Sequence, residues 1–186
     1  LQDMQRYELL VLPCMPHVGE DLAQRLRAYV SSGGKLLANY RASLMGPAGE
    51  ALDNFALADL LGVDFHQDSP YSISYLDRLA PLFGGVPEMP LVIKDTSSGE
   101  MNPQNHTRQC SLRGGAEAMA WLVDPIIESD FETGHVVYHD HAPPGFRTDY
   151  PGLVLNQYGD GLVAYFPVPF FGGYARKKCP FLKGLF

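Results

Sequence analysis

The sequence predicts an α/β fold built on a parallel sheet, and three segments carry that expectation. Glu8-Leu9-Leu10-Val11-Leu12-Pro13 is a short apolar run closed by proline, the pattern of a buried strand. Gly19 to Ser31 follows, with Leu22, Leu26, Tyr29 and Val30 on one helical stripe. Lys35-Leu36-Leu37-Ala38-Asn39-Tyr40 is a second apolar run. Strand, helix and strand with short connections make a βαβ unit, whose crossover is right-handed.

The helix has its own boundary signals. Glu20 and Asp21 stand in its first turn, where acidic groups suit the helix dipole. Arg25 and Arg27 lie off the apolar stripe and are expected in solvent. Ser31-Ser32-Gly33-Gly34 ends it, with a glycine free to take a left-handed cap. After the second strand, Arg41 to Asn54 reads as loop, with Gly46, Pro47 and Gly49. Phe55 to Leu61 reads as a short helix capped by Gly62, and Val63-Asp64-Phe65 leads away from it.

Further on, Tyr71 to Leu76 and Leu91 to Ile93 are strand candidates, and Asp95 to Thr107 is a polar loop. The second half reads as β-rich. Arg108 to Leu112 and His135 to His139 are strand-like, while Ala116 to Val123 fits helix or strand. Gly152 to Tyr158 and Leu162 to Phe166 flank Gly159-Asp160-Gly161, the clearest hairpin signal in the chain. Pro180 to Phe186 reads as the start of a last helix. The opening Leu1-Gln2-Asp3, with no initiator Met and no signal peptide, and the amphipathic end both read as cut, so a fragment of a larger multidomain protein is expected.

Composition narrows the function. With 46% hydrophobic and 19% charged residues, 186 residues can bury a core in one domain. A net charge of -7 disfavours nucleic acid or an anionic membrane as partner, because phosphate binding needs a basic surface. No apolar stretch reaches the roughly 18 residues that a membrane span requires. Cys14, Cys110 and Cys179 are sparse and odd in number, which is no disulfide framework and leaves the compartment open.

Three pieces follow one another in an order that resembles a known family. They are Tyr7 to Pro13, Leu26-Arg27-Ala28-Tyr29-Val30-Ser31-Ser32-Gly33-Gly34-Lys35-Leu36-Leu37-Ala38, and Phe55 to Val63. A fourth, Thr148 to Val154 with Tyr158 to Pro167, completes the resemblance to the β-galactosidase trimerisation domain of bacterial glycoside hydrolases. That family is similar in turn to class I glutamine amidotransferases. The resemblance implies a flavodoxin-like sheet flanked by helices, with β-rich additions, and a first strand and helix missing before Tyr7. It also implies a non-catalytic accessory and oligomerisation domain, a catalytic barrel upstream in the same chain, and a carbohydrate substrate for the parent enzyme.

Amidotransferase chemistry needs a cysteine on a tight strand-to-helix turn. The turn here reads Asn39-Tyr40-Arg41-Ala42-Ser43, with no Cys and no glycine-framed elbow, so no catalytic residue is assigned. An alternative is a stand-alone hydrolase using Cys14 and His17, which sit just past the first strand. The His135, His139, Asp140 and His141 cluster is the other candidate centre. His135 and His139 would lie roughly 13 Å apart along a strand, too far to chelate one ion. His139 and His141 could do so if extended, but a polar loop before Pro143-Pro144 is the expected reading, and no metal or cofactor is expected. Glu128, Asp130 and Glu132 read as a solvated acidic loop, and Arg176-Lys177-Lys178 as a solvated basic face. Late aromatics suit a carbohydrate-binding module or an interface. Phe170, Phe171 and Tyr174, beyond two prolines, are the interface candidates, for a homo-oligomer or for the upstream barrel.

Overall fold

In the computed structural model, the described residues are 3–93 apart from 72, 78, 80, 85 and 87, together with 106–126 and 143–171. The strand–helix–strand opening forms as expected. Leu9–Leu12 (β1) and Lys35–Asn39 (β2) are adjacent and parallel, joined through the helix Glu20–Ser31 (α1). The Gly161–Phe166 strand (β9) pairs parallel to β2 on its other side.

From there the sheet departs from expectation. The fold is mostly β rather than a flavodoxin-like parallel sheet between helix layers. Pro144–Tyr158 (β8) runs antiparallel to β9, and Glu117–Pro125 (β7) antiparallel to β8. Ser74–Leu76 (β4) and Leu91–Ile93 (β5) finish a seven-stranded sheet, β1-β2-β9-β8-β7-β4-β5. Val63–Asp68 (β3) and Arg108–Leu112 (β6) form a separate antiparallel pair. Among the described residues the α-helices are α1, of 12 residues, and Ala58–Leu61 (α2), of four.

The physical reason lies in the connections. Parallel neighbours need a long crossover, usually a helix, whereas antiparallel neighbours need two residues. Strand β8 reaches β9 through Gly159 and Asp160 alone. Gly159 has φ 59, and a Cβ there would stand 2.6 Å from the Ser31 hydroxyl, so the turn is packed against the end of α1. The run Ala116 to Val123, which periodicity left between helix and strand, lies largely in β7. The hairpin strand begins at Pro144, well ahead of the Gly152 where its apolar alternation starts. The strand candidate His135 to His139 and the terminal segment 180–186 lie outside the described residues.

Helix α1 packs its stripe on one face of the sheet. Ala23, Leu26, Tyr29 and Val30 are buried there with Leu57, Leu60 and Leu61 from the α2 region. A second cluster, built from Leu76, Leu122, Leu153, Phe166, Val168 and Phe170 among others, fills the far half of the molecule. Arg27 is not simply solvated. Its guanidinium makes a two-pronged contact with Asp59, Nε to Oδ2 and Nη2 to Oδ1 both at 2.8 Å, and ties α1 to α2. Arg25 pairs with Asp21 on the exposed side.

The Arg27 hydrogen bonds hold the Asp59 carboxyl below its ordinary value of 3.8, with Arg27's charge and Tyr158's hydroxyl helping against burial. A depressed carboxylate stabilises the fold above the unfolded pKa, and this contribution disappears as pH falls through the native value. The pair is more than a third exposed at Asp59, so screening limits it to about 1 kcal/mol or less. Urea titrations of Arg27→Ala should show a shallower loss of stability below about pH 4 than the parent chain, and lower stability at pH 7.

Candidate functional site

The parallel register sorts the side chains of β1, β2 and β9 onto two faces. One row runs Leu10, Leu36, Val163 and Asn156; the next runs Leu12, Ala38, Tyr165 and Val154. This is the face under α1 and α2, and its apolar members apart from the edge residue Leu10 are buried. The other face carries Leu9, Lys35 and Leu162 in one row, then Val11, Leu37, Ala164 and Leu155. No helix among the described residues covers it. Leu9 is 50% exposed, Val11 44% and Leu162 37%.

This second face is the wall of an apolar groove of about 430 Å³. Leu82, Phe83 and Met119 close its far side, and Phe166 joins it to the second core cluster. Among the described residues Lys35 is the one charged side chain along it. The apolar run from Glu8 to Pro13 was legible in the sequence as a buried strand; that β1 is half exposed, at the edge of the sheet among the described residues, was not.

Of the three interface candidates, Phe170 and Phe171 fall beside this groove. Phe170 is fully buried, its ring 4.9 Å from Phe166 and 4.6 Å from Phe171. Phe171 is half-buried against the same cluster. Tyr174 lies outside the described residues.

At the carboxyl ends of β1 and β2 the backbone is unusual. Cys14, Tyr40 and Ser43 have φ of 46, 59 and 64, a left-handed conformation that non-glycine residues rarely take. Asn39 organises the junction. Its Oδ1 accepts from the Cys14 amide at 2.7 Å and its Nδ2 donates to the Val168 carbonyl at 3.3 Å. The Ser43 hydroxyl accepts from the Leu57 amide, so it is a backbone brace. The His17 ring faces the Met45 carbonyl at 3.3 Å, and Cys14 is held by its backbone to Asn39. Burial pushes the Cys110 thiol far up, which disfavours its thiolate. The cluster His135, His139, Asp140 and His141 is outside the described residues, and among the described residues no three metal-ligating side chains converge. Nor, among these residues, is any helix long and apolar enough to cross a membrane.

The described residues thus form a mixed sheet with a βαβ start, one helix-covered face and one partly exposed apolar face. Residues 1–73 match the model of the β-galactosidase trimerisation domain. A search of curated protein sequences finds no match. Among solved structures, α-L-fucosidase isoenzyme 2 from Paenibacillus thiaminolyticus is similar at TM-score 0.74 and 22% identity, over 98% of this chain and 24% of that one. A β-galactosidase from Bacillus circulans sp. alkalophilus gives 0.62 and 15%, over 96% and 23%. A GH42 β-galactosidase from G. stearothermophilus gives 0.60 and 18%, over 95% and 21%. The chain therefore spans less than a quarter of each of these relatives, and at such identities the likeness is one of fold. The glutamine amidotransferase-like, flavodoxin-like description is not supported, because the mostly β architecture replaces the expected helix layers.

Replacing Asn39 should loosen the junction of β1, β2 and the segment after β9. Asn39→Leu removes two hydrogen bonds from a fully buried side chain and leaves their partners to find others. A loss of about 1–3 kcal/mol in chemical denaturation is expected.

Proposed function

We infer that the chain is a non-catalytic accessory and assembly domain of a glycoside-hydrolase-like protein that acts on carbohydrate. The observation that carries this reading is the partly exposed apolar face of β1, β2 and β9, which no helix among the described residues covers. Monomers rarely leave a contiguous apolar patch uncovered, and a parallel sheet is normally covered on both faces. The trimerisation-domain match of residues 1–73 spans two of the three strands that build that face. The fold likeness to domains within glycosidases supports an attachment to a catalytic barrel in the same chain.

The partner is a further copy of the parent protein, forming a homo-oligomer, with the barrel as neighbour. Phe171 borders the interface and Phe170 supports it from beneath, with Tyr174 kept as a candidate on the sequence alone. A specific contact would bury about 1,200–2,000 Å² in total. Leu9, Val11 and Leu162 supply its apolar centre, where charged residues are depleted in interfaces.

The test is the mass of the complete protein by light scattering. Val11→Asp combined with Leu162→Asp places two charges on exposed positions of the face and leaves the α1 side intact. The expected result is a fall to the protomer mass with unchanged circular dichroism. An unchanged oligomer mass in the folded double variant would remove the face from the assembly interface.

A further inference from the structure

Next to the strained strand ends lies a second cavity, of about 340 Å³, away from the apolar groove. Leu44, Leu52 and Phe65 are among its apolar walls. Among the described residues three charged groups reach it: Arg41, Asp68 and Arg108. Arg108 is 1% exposed, forms an ion pair with Asp68, and donates from Nη2 to the Tyr40 hydroxyl at 2.9 Å. Its guanidinium carbon sits 4.7 Å from the centre of the Tyr40 ring, and that of Arg41 sits 5.6 Å from the same centre.

Two guanidinium groups therefore meet at one aromatic ring with one carboxylate lining the cavity. Among the described residues no carboxylate pairs with Arg41. Burial, and after it the charge of Arg41, hold the Arg108 guanidinium below its ordinary pKa, while the Tyr40 hydroxyl opposes them. The local balance is a surplus of positive charge in a chain whose net charge is -7. The location is independently unusual. Tyr40 and Ser43 hold left-handed backbone on either side of Arg41, strain of a kind that gathers at binding sites.

We propose that this cavity binds a small organic carboxylate with an apolar body. The carboxylate is taken by Arg41, whose planar fork matches its two oxygens. Asp68 already occupies one side of Arg108, which makes Arg41 the available donor set. The body rests on Leu44, Leu52 and Phe65, and the volume suits a single small ring. A strongly hydrated ion such as phosphate gains nothing from those walls.

The experiment titrates the 186-residue chain with benzoate and follows backbone amide shifts by NMR. Saturable shifts confined to the segments around Arg41, Leu52 and Asp68 are expected. Arg41→Met should weaken binding about 10-fold or more, with Arg41→Lys between the two. Acetate, which lacks the body, and benzyl alcohol, which lacks the charge, should each bind at least about 10-fold more weakly than benzoate. Absence of saturable shifts with benzoate overturns the proposal, and so does undiminished binding to folded Arg41→Met. An equal response to acetate, phosphate and benzoate marks plain ion attraction and overturns it as well. Should Arg41→Met fail to fold, the acetate and benzyl alcohol arms on the parent chain decide the matter.

Discussion

The parallel register of β1, β2 and β9 is the constraint on which the rest of the molecule depends. Because side chains alternate with period two, fixing Leu10 beside Leu36 and Leu36 beside Val163 also fixes Leu9 beside Lys35 and Lys35 beside Leu162. One α-helix can cover one face only. Placing α1 over Leu36, Ala38, Val163 and Tyr165 necessarily turns Leu9, Val11, Leu37 and Leu162 the other way. The apolar groove is thus the direct counterpart of the core. A one-residue slip would exchange the two faces and bury Lys35 under the helix.

The same register brings the carboxyl ends of β1 and β2 together beside the end of β9. Several buried polar groups meet there, and Asn39, Ser43 and Tyr165 direct hydrogen bonds at backbone. Asn39 spans from Cys14 to Val168, and Tyr165 donates to the Tyr40 carbonyl at 2.6 Å. Such connections hold Tyr40 in its left-handed conformation, which would otherwise cost of order 1–3 kcal/mol. Tyr40, at the end of β2, in turn accepts from the buried Arg108 through its hydroxyl, so its side chain is committed to packing and charge.

The two halves of the sheet differ in what stabilises them. The βαβ half rests on local sequence signals: an apolar run, an amphipathic stripe and a glycine stop. The other half rests on long antiparallel pairings with bulges between β7 and β8, where Trp121 lies opposite Pro151 and its ring meets the Arg147 guanidinium at 4.6 Å. Those pairings have no local signature, and apolar runs as short as Ala116 to Val123 fit either element. This is why the β-rich character of the second half was legible while the class as a whole was read as α/β. A parallel start predicts helices between later strands only if later strands are also parallel.

By itself the sequence determined the βαβ unit, the Gly159-Asp160 hairpin, the absence of a nucleophile elbow and the resemblance to an assembly domain, since each of these depends on residues near one another in the chain. Only the tertiary structure decided that Phe170 is buried and that β1 stands at the sheet edge among the described residues. It alone brought Arg41 and Arg108, 67 positions apart, onto one tyrosine ring. Burial and edge position are properties of neighbours supplied by distant segments. A charged residue in a strand such as Arg108 hints at a buried pairing, but its partner is chosen by the fold.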